Sequence, residues 1–527
     1  MRGQVFKHDA RYIAAGVACG VLFTLSEPLR ASQILSEQTS AEGARPRVEG
    51  QTLSAPPQAE GQRLQVERLT LTDAVKEALV KNERLVNQSD GIAQADLGLR
   101  LARNTFRPKI TPNIFGSFGR SDVSSQTYRV DVSQRLVTGT ELRLSTGTAS
   151  AQIPGDILHP DDVLFYNADT TLTVSQPLLR GFGRSVSRRG LTSAELRRED
   201  ADRQQSLAEQ QVAVDVAAAY FRVVSQQTFV EVARQSLLRA RRLRDASEAK
   251  LDAGLVSQLD VLRSQQLVSQ SEMQFFDAQS AVEDARDQLT FLLGRSETTP
   301  FEVSAEVPRT STDPIDVPTA TSIALANRLD LKSRRASAQD AENQIRFTSN
   351  QLLPQVDVNF ALTRRETAPS FRDSFGLDGF TFVTFFTISS PVDRTAQQVE
   401  FQQATIDRER RRRDTETLER QIADGVRQIV RERDRLIRSV MAAETSVEIS
   451  KREVEVAQLR YETGLSNNLD VVTAEASLLQ SEGRRIQALA DSAVAELRLR
   501  AVLGVFNPRT DLTGSTAMPF PASNLAK

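Results

Sequence analysis

The chain has 527 residues, 25% of them charged, yet 66 Lys and Arg against 68 Asp and Glu leave a formal net charge of −2. Balanced, interspersed charge of this kind excludes the basic surface that nucleic acid demands, so no nucleic-acid partner is expected. His8, His159 and Cys19 are the only residues of their types, too few for disulfides, Ser-His-Asp chemistry or most zinc sites; neither an enzyme nor a cofactor or metal site is expected.

Two of those three residues fall in what reads as a leader. Met1 to Arg11 is basic, Ile13 to Leu25 is apolar, and Pro28-Leu-Arg-Ala31 can precede a cleavage site. Residues 1–31 therefore read as a secretory signal peptide, too short to span a membrane as a helix. Residues 32–66 are rich in Glu, Gln, Ser, Pro and Gly and read as a flexible linker. Order is expected to begin at Leu69-Thr-Leu-Thr72, with Thr72 capping a helix that runs to about Arg103.

The period then changes to two. Tyr128, Val130 and Val132 alternate with Arg129, Asp131 and Ser133; Leu172 and Val174 alternate with Thr171, Thr173 and Ser175. The second half repeats this at Val356, Val358, Phe360 and Leu362, and again at Phe380, Phe382, Phe386 and Ile388. These predict strands apolar on one face and polar on the other, a pattern that fits a soluble sandwich or an outer-membrane barrel. His159, in the polar run Asp156 to Asp162, reads as a solvated loop residue.

Residues 191–253 and 395–463 contain no proline. As helices each would extend on the order of 100 Å. Their apolar positions keep a seven-residue period, Val216, Val223, Val230, Leu237, Leu251 in one and Val426, Val440, Val447, Val454, Tyr461 in the other, with Arg244 and Arg433 interrupting. Small or aliphatic residues follow three positions later, as Ala219, Ala233, Ala240, Leu436, Ala443 and Ala457 do. That is a coiled-coil seam. The run Arg408 to Arg413 reads as a solvated face of the second helix. Each helix ends at a glycine, Gly254 or Gly464, and a partner helix runs on to Gly294 or Gly504.

The two halves are copies. Lys250 to Val261 returns as Arg460 to Val471, a shift of 210, while Ala78, Leu85 and Pro108 return as Ala324, Leu331 and Pro354, a shift of 246. The first copy is thus 36 residues the longer. The repeats are placed at 67–300 and 313–508, with a C-terminal tail over 509–527.

The strands in each copy are too few to close a barrel, and the helices too long for a compact domain. Several chains would have to combine. Here the sequence resembles the outer-membrane efflux proteins, the TolC-like family. The matching residues are Leu69-Thr-Leu-Thr-Asp-Ala-Val with Ala78-Leu79, the prolines Pro108 and Pro354, Ser175-Gln-Pro-Leu-Leu-Arg180-Gly-Phe-Gly183, and the two tips in which Gly-Leu precedes Leu-Asp-Val. The resemblance implies a mainly α fold with β. Three copies, each giving four strands, would form a trimeric 12-stranded outer-membrane β-barrel in contact with lipid, continued by a long periplasmic α-helical barrel. Such a homotrimer is a passive exit duct that meets a periplasmic adaptor and an inner-membrane transporter. The alternations number up to six, so Tyr128 to Gly147 is read as a hairpin in an enlarged external loop.

The resemblance also assigns the tips. Asp470 falls on a position of the family's acidic ring, while the second acidic position, three residues on, is Thr473. Asp260 matches an aspartate that bonds the tyrosine matching Tyr461, and Ser466 stands where a closing arginine is common. Ala253-Gly254-Leu255 and Thr463-Gly464-Leu465 match the adaptor-contact motif. Read from the residues alone, Ser257 with Asp260 and Asn467 with Asp470 are helix starts, each a cap with an acid three positions later. The competing reading is a periplasmic coiled-coil adaptor or scaffold without a channel.

Overall fold

The computed structural model describes residues 67–116, 124–153, 163–295, 301–303, 307–308, 310–375 and 379–511. The expected signal peptide and linker, His159 and most of the C-terminal tail lie outside them. The first half runs β1 (Glu67–Leu69), α1 (Leu71–Lys81), α2 (Glu83–Asn104), β2 (Lys109–Gly116), β3 (Ser124–Arg135), β4 (Glu141–Ile153), β5 (Val163–Pro177), α3 (Arg184–Ser187), α4 (Arg189–Asp252) and α5 (Gln258–Leu293). The second runs β6 (Phe301–Val303), α6 (Val317–Asn327), α7 (Leu329–Gln351), β7 (Gln355–Ala368), β8 (Thr381–Ser389), α8 (Thr395–Glu462), α9 (Asn468–Val502) and α10 (Pro508–Asp511).

The first helix starts earlier than expected and is broken. Its cap is Thr70, not Thr72, because Asp73 three residues on closes the exchange: the Asp73 amide donates to Thr70 Oγ1 at 3.2 Å, and that hydroxyl donates to the Asp73 carboxylate at 2.7 Å. The run to Arg103 divides at Asn82, whose side chain caps the next helix at the Arg84 amide and donates to the Leu292 carbonyl. Arg328 makes the same break between α6 and α7. Both breaks serve close packing. A Cβ on Gly294 would lie 2.5 Å from the Lys81 carbonyl oxygen, and one on Gly504 would lie 2.9 Å from the Arg328 nitrogen. The glycine ending each partner helix thus seats against the break in the preceding helix pair.

The helices α4 and α8 are 64 and 68 residues long, about 100 Å each. The seven-residue seam is buried at Val216, Val223, Leu237, Val426, Val447, Val454 and Tyr461. Three apolar clusters lie along them. One joins α1, the middle of α4 and the end of α5 around Tyr220 and Leu289; a second joins α6 and α7 to α8 and α9 around Leu331 and Val426. The third is described below. Arg433, which interrupts the seam, is also buried: it donates to Glu496 and to the carbonyls of Ser311 and Asp313, fastening the strap between the two halves. Of the arginine run, 410–413 are exposed as expected.

The strand count corrects the expectation. Among the described residues one antiparallel sheet has the order β2-β3-β4-β5-β7-β8, six strands where the resemblance implied four. Tyr128 and Gly147 lie inside β3 and β4, paired between β2 and β5, and not in an external loop. Their alternation carries two usable faces, so pairing within the sheet satisfies their backbone and both sets of side chains. Among the described residues no helix is long and apolar enough to cross a membrane.

Candidate gate at the helix tips

At the far end of α4 the chain reverses in a tight turn. Ala253 is the last right-handed residue, Gly254 is left-handed with φ 71°, and the amides of Gly254 and Leu255 donate back to the carbonyls of Leu251 and Lys250, both at 2.8 Å. The second tip repeats the geometry. Thr463 is followed by Gly464 with φ 75°, and the Leu465 amide donates to the Arg460 carbonyl at 2.8 Å. This pair of hydrogen bonds closes orphan carbonyls at a helix end and needs a residue without a left-handed penalty. Leu255 and Leu465 are both 74% exposed. Two apolar side chains are thus held in water beside glycines, and neither helix buries them.

The partner helices start differently. Ser257 and Asp260 form the reciprocal cap: the Asp260 carboxylate accepts from the Ser257 amide at 3.1 Å and its hydroxyl at 2.7 Å. At the second tip Asn467 accepts from the Leu469 amide, and Asp470 takes no part. The expectation of an acid-assisted start therefore holds at the first tip only, where Ser257 bonds the Asp260 amide and carboxylate, whereas Asn467 closes on the nearer Leu469 amide. Asp470 is exposed on the first turn of α9. Thr473 is exposed too, but its hydroxyl donates to the Leu469 and Asp470 carbonyls of its own helix.

The expected bond between Asp260 and Tyr461 is not formed. The Asp260 carboxylate is occupied by Ser257, with Arg263 at 3.7 Å. The Tyr461 hydroxyl lies 2.8 Å from Ser247 Oγ, which itself donates to the Leu243 carbonyl, so the tyrosine is the donor. Asn468 completes the link. Its Nδ2 donates to the Asp260 carbonyl at 2.7 Å and to Ser247 Oγ at 3.3 Å. Lys250 sits over the Tyr461 ring, 4.1 Å from its centre, and donates to the Tyr461 carbonyl at 2.5 Å. Ser247 and Asn468 are fully buried and Tyr461 nearly so.

This polar knot ties α4 and α5 to α8 and α9 at the tips, above an apolar cluster of Leu237, Leu243, Leu267, Val454, Val471 and Leu478. Further along, Glu475 accepts from Arg239 Nε at 2.8 Å and Gln458 Nε2 at 3.2 Å, joining α9 to α4 and α8. Burial pushes the Glu475 carboxyl above the usual glutamate range, against the opposing pull of Arg239.

Ser247, Lys250 and Asn468 are functional candidates absent from the sequence reading. A signal exists for Asn468: the cap function is met by Asn467, and Asn468 then shares the buried face of Val471, Glu475 and Leu478.

Six strands with helical hairpins reaching about 100 Å beyond them define the architecture of an outer-membrane duct component. The chain belongs to the outer membrane efflux protein family, whose model matches residues 74–295 and 320–505. Membership places it in the cell outer membrane with a periplasmic extension. A relative is the alkaline protease secretion protein AprF of Pseudomonas aeruginosa, 24% identical over 347 residues, which are 64% of this chain and 70% of AprF. The fold is shared with the outer-membrane channel OprN (TM-score 0.64, 18% identity, 83% of this chain and 90% of that one). It is shared also with the outer membrane protein VceC of Vibrio cholerae (TM-score 0.62, 16% identity, 82% and 96%).

Proposed function

We propose that this chain is the passive outer-membrane exit duct of an efflux pump or type I secretion system. Three copies close their sheets into one barrel and their helices into one periplasmic tube. An inner-membrane transporter feeds the tube, and a periplasmic adaptor opens it. The observation that carries the reading is the pair of tips: two glycine turns at one end, each holding a 74% exposed leucine, fastened together by buried polar bonds.

In this reading Ala253, Gly254, Leu255, Thr463, Gly464 and Leu465 receive the adaptor, and Asp260, Tyr461, Asp470 and Thr473 belong to the gate. Asp260 and Tyr461 act through the knot and do not bond each other. Asp470 is the acidic ring, and it stands alone because the second ring position is the neutral Thr473, whose hydroxyl bonds its own helix. The two repeats, 67–300 and 313–508, supply one hairpin each. A periplasmic scaffold would have no use for a six-stranded sheet of this kind.

The test is Gly464→Trp. A Cβ there meets nothing within 4 Å, so the backbone cost is the left-handed strain, roughly 1–2 kcal/mol. Assembly should survive while the adaptor seat is blocked. The expected result is wild-type yield of the oligomer with export reduced to the level of a strain lacking the protein. Unchanged export would contradict docking at the tips.

A further inference from the structure

We infer that the β3–β4 hairpin is a membrane-spanning part of the barrel wall, so that three copies close eighteen strands and not twelve. Four observations converge on it.

The first is register. One row of paired residues crosses all six strands as Ile110, Val132, Leu144, Leu172, Leu362 and Phe382. The next row crosses them as Thr111, Asp131, Ser145, Thr171, Thr363 and Thr381. One is wholly apolar and the other wholly polar. Adjacent positions on a strand face opposite sides, so β3 and β4 carry the same lipid face and water face as their neighbours. A hairpin lying outside the membrane has no reason to keep that alternation in step with the rest.

The second is length. At 12 and 13 residues β3 and β4 exceed what one crossing requires, about 9–11 residues.

The third is locking. Arg129 on β3 donates to Ser145 on β4 and to Asp169 on β5, each at 2.9 Å. Its path lies over Gly147, where a Cβ would be 2.8 Å from the Tyr128 carbonyl oxygen and 3.1 Å from Arg129 Cβ. The turn between the strands is fixed as well: Gly183 donates to the Thr138 carbonyl at 3.2 Å, Thr140 donates to Gln176 at 2.5 Å, and a Cβ on Gly139 would be 2.6 Å from the Gly181 carbonyl oxygen. That turn sits where the chain leaves β5 for the long helix, so the hairpin traverses the full height of the sheet.

The fourth is the edges. Among the described residues β2 and β8 have one neighbour each, and every residue of both is exposed, including Ile110, Ile114, Phe382 and Phe386. Such edges demand a partner strand. An even number of alternating strands sets β8 of one copy antiparallel to β2 of the next. The occupant of each edge is therefore a second copy of this chain.

The surplus of 36 residues in the first repeat lies between the matched Pro108 and the long helix, which is where β3 and β4 are. With strands about 4.8 Å apart, eighteen give a wall half again as wide as twelve, in the range where barrels leave an open aqueous lumen. The narrow point of the duct then falls to the helix tips.

The count of eighteen rests on the threefold reading above; the membrane span of the hairpin does not. The test uses single-cysteine variants of the full chain carrying Cys19→Ser, reconstituted in phospholipid vesicles. Val132→Cys and Leu144→Cys are compared with Asp131→Cys and Ser145→Cys, and Leu172→Cys with Thr171→Cys is the control pair. A fluorophore at Val132 and Leu144 should be quenched by brominated lipid, and Asp131 and Ser145 should instead react with a membrane-impermeant maleimide. Aqueous reaction at all four hairpin positions with an alternating control pair would overturn the inference and leave the duct standing. Loss of alternation at the control pair would sink both. Native mass spectrometry of the same sample should give three copies, and any other number overturns eighteen.

Discussion

Ser247→Ala tests the knot at the tips most sharply, because one hydroxyl of the first hairpin accepts from both helices of the second. The substitution leaves the buried Tyr461 hydroxyl without its acceptor and removes the longer of the two Asn468 bonds. The Ser247 donation to Leu243 is redundant, since that carbonyl lies within a helix. An orphaned buried hydroxyl costs about 1–3 kcal/mol, so roughly 2 kcal/mol of the tie between hairpins is lost. If separation of the hairpins opens the tube, the open population rises about thirtyfold. Single-channel recordings of purified protein would read this as open time. Tyr461→Phe alone should cost about 1 kcal/mol, and in the Ser247→Ala background it should cost close to nothing, because both partners are then apolar. Unchanged open time in Ser247→Ala, or strictly additive effects in the double variant, would refute the reasoning.

Other perturbations separate strain from packing and charge from burial. Gly294→Ala should lower the midpoint of thermal unfolding far more than Gly254→Ala: the first puts a methyl 2.5 Å from the Lys81 carbonyl oxygen, the second meets open space and carries strain only. Burial raises the Glu475 carboxyl above its ordinary value of 4.5, so the folded chain holds that proton more tightly than the unfolded one. Its contribution is full below the ordinary pKa and is lost as pH rises through the raised one. Glu475→Gln should therefore flatten the fall in melting temperature between acid and neutral pH, and a steeper fall would contradict burial as the cause.

Much of this architecture was legible as period. The seven-residue seam, both glycine tips and the alternations of β3, β5, β7 and β8 stand in the sequence because each reflects a repeating environment. What was missed depends on contacts between distant residues. The break at Asn82 leaves no gap in the helical pattern; its cause is the Gly294 turn packed against Lys81. Thr70 and Thr72 are equivalent caps until Asp73 is counted three residues on. Up to six strands could be counted in the sequence, but four were expected from resemblance and the rest assigned to an external loop; pairing across registers sets β3 and β4 in the sheet. At the tips, Asp260 was matched to Tyr461 by analogy, whereas Ser257 lies nearer and takes its carboxylate. Asn468 bonds residues 208 and 221 positions away, a separation no local signal carries.

The central claim is a duct gated at its tips, and ion conductance of the detergent-purified protein in a planar bilayer tests it most directly. Wild type is compared with the double variant Asp260→Ala/Asp470→Ala. Small, stable channels that widen or lose cation preference in the variant are predicted, since one aspartate fixes the first tip and the other is the exposed acid of the second. Protein that inserts and conducts identically in both forms would return Asp260 to helix capping and leave Asp470 a plain surface acid, and protein that never conducts would contradict the duct itself.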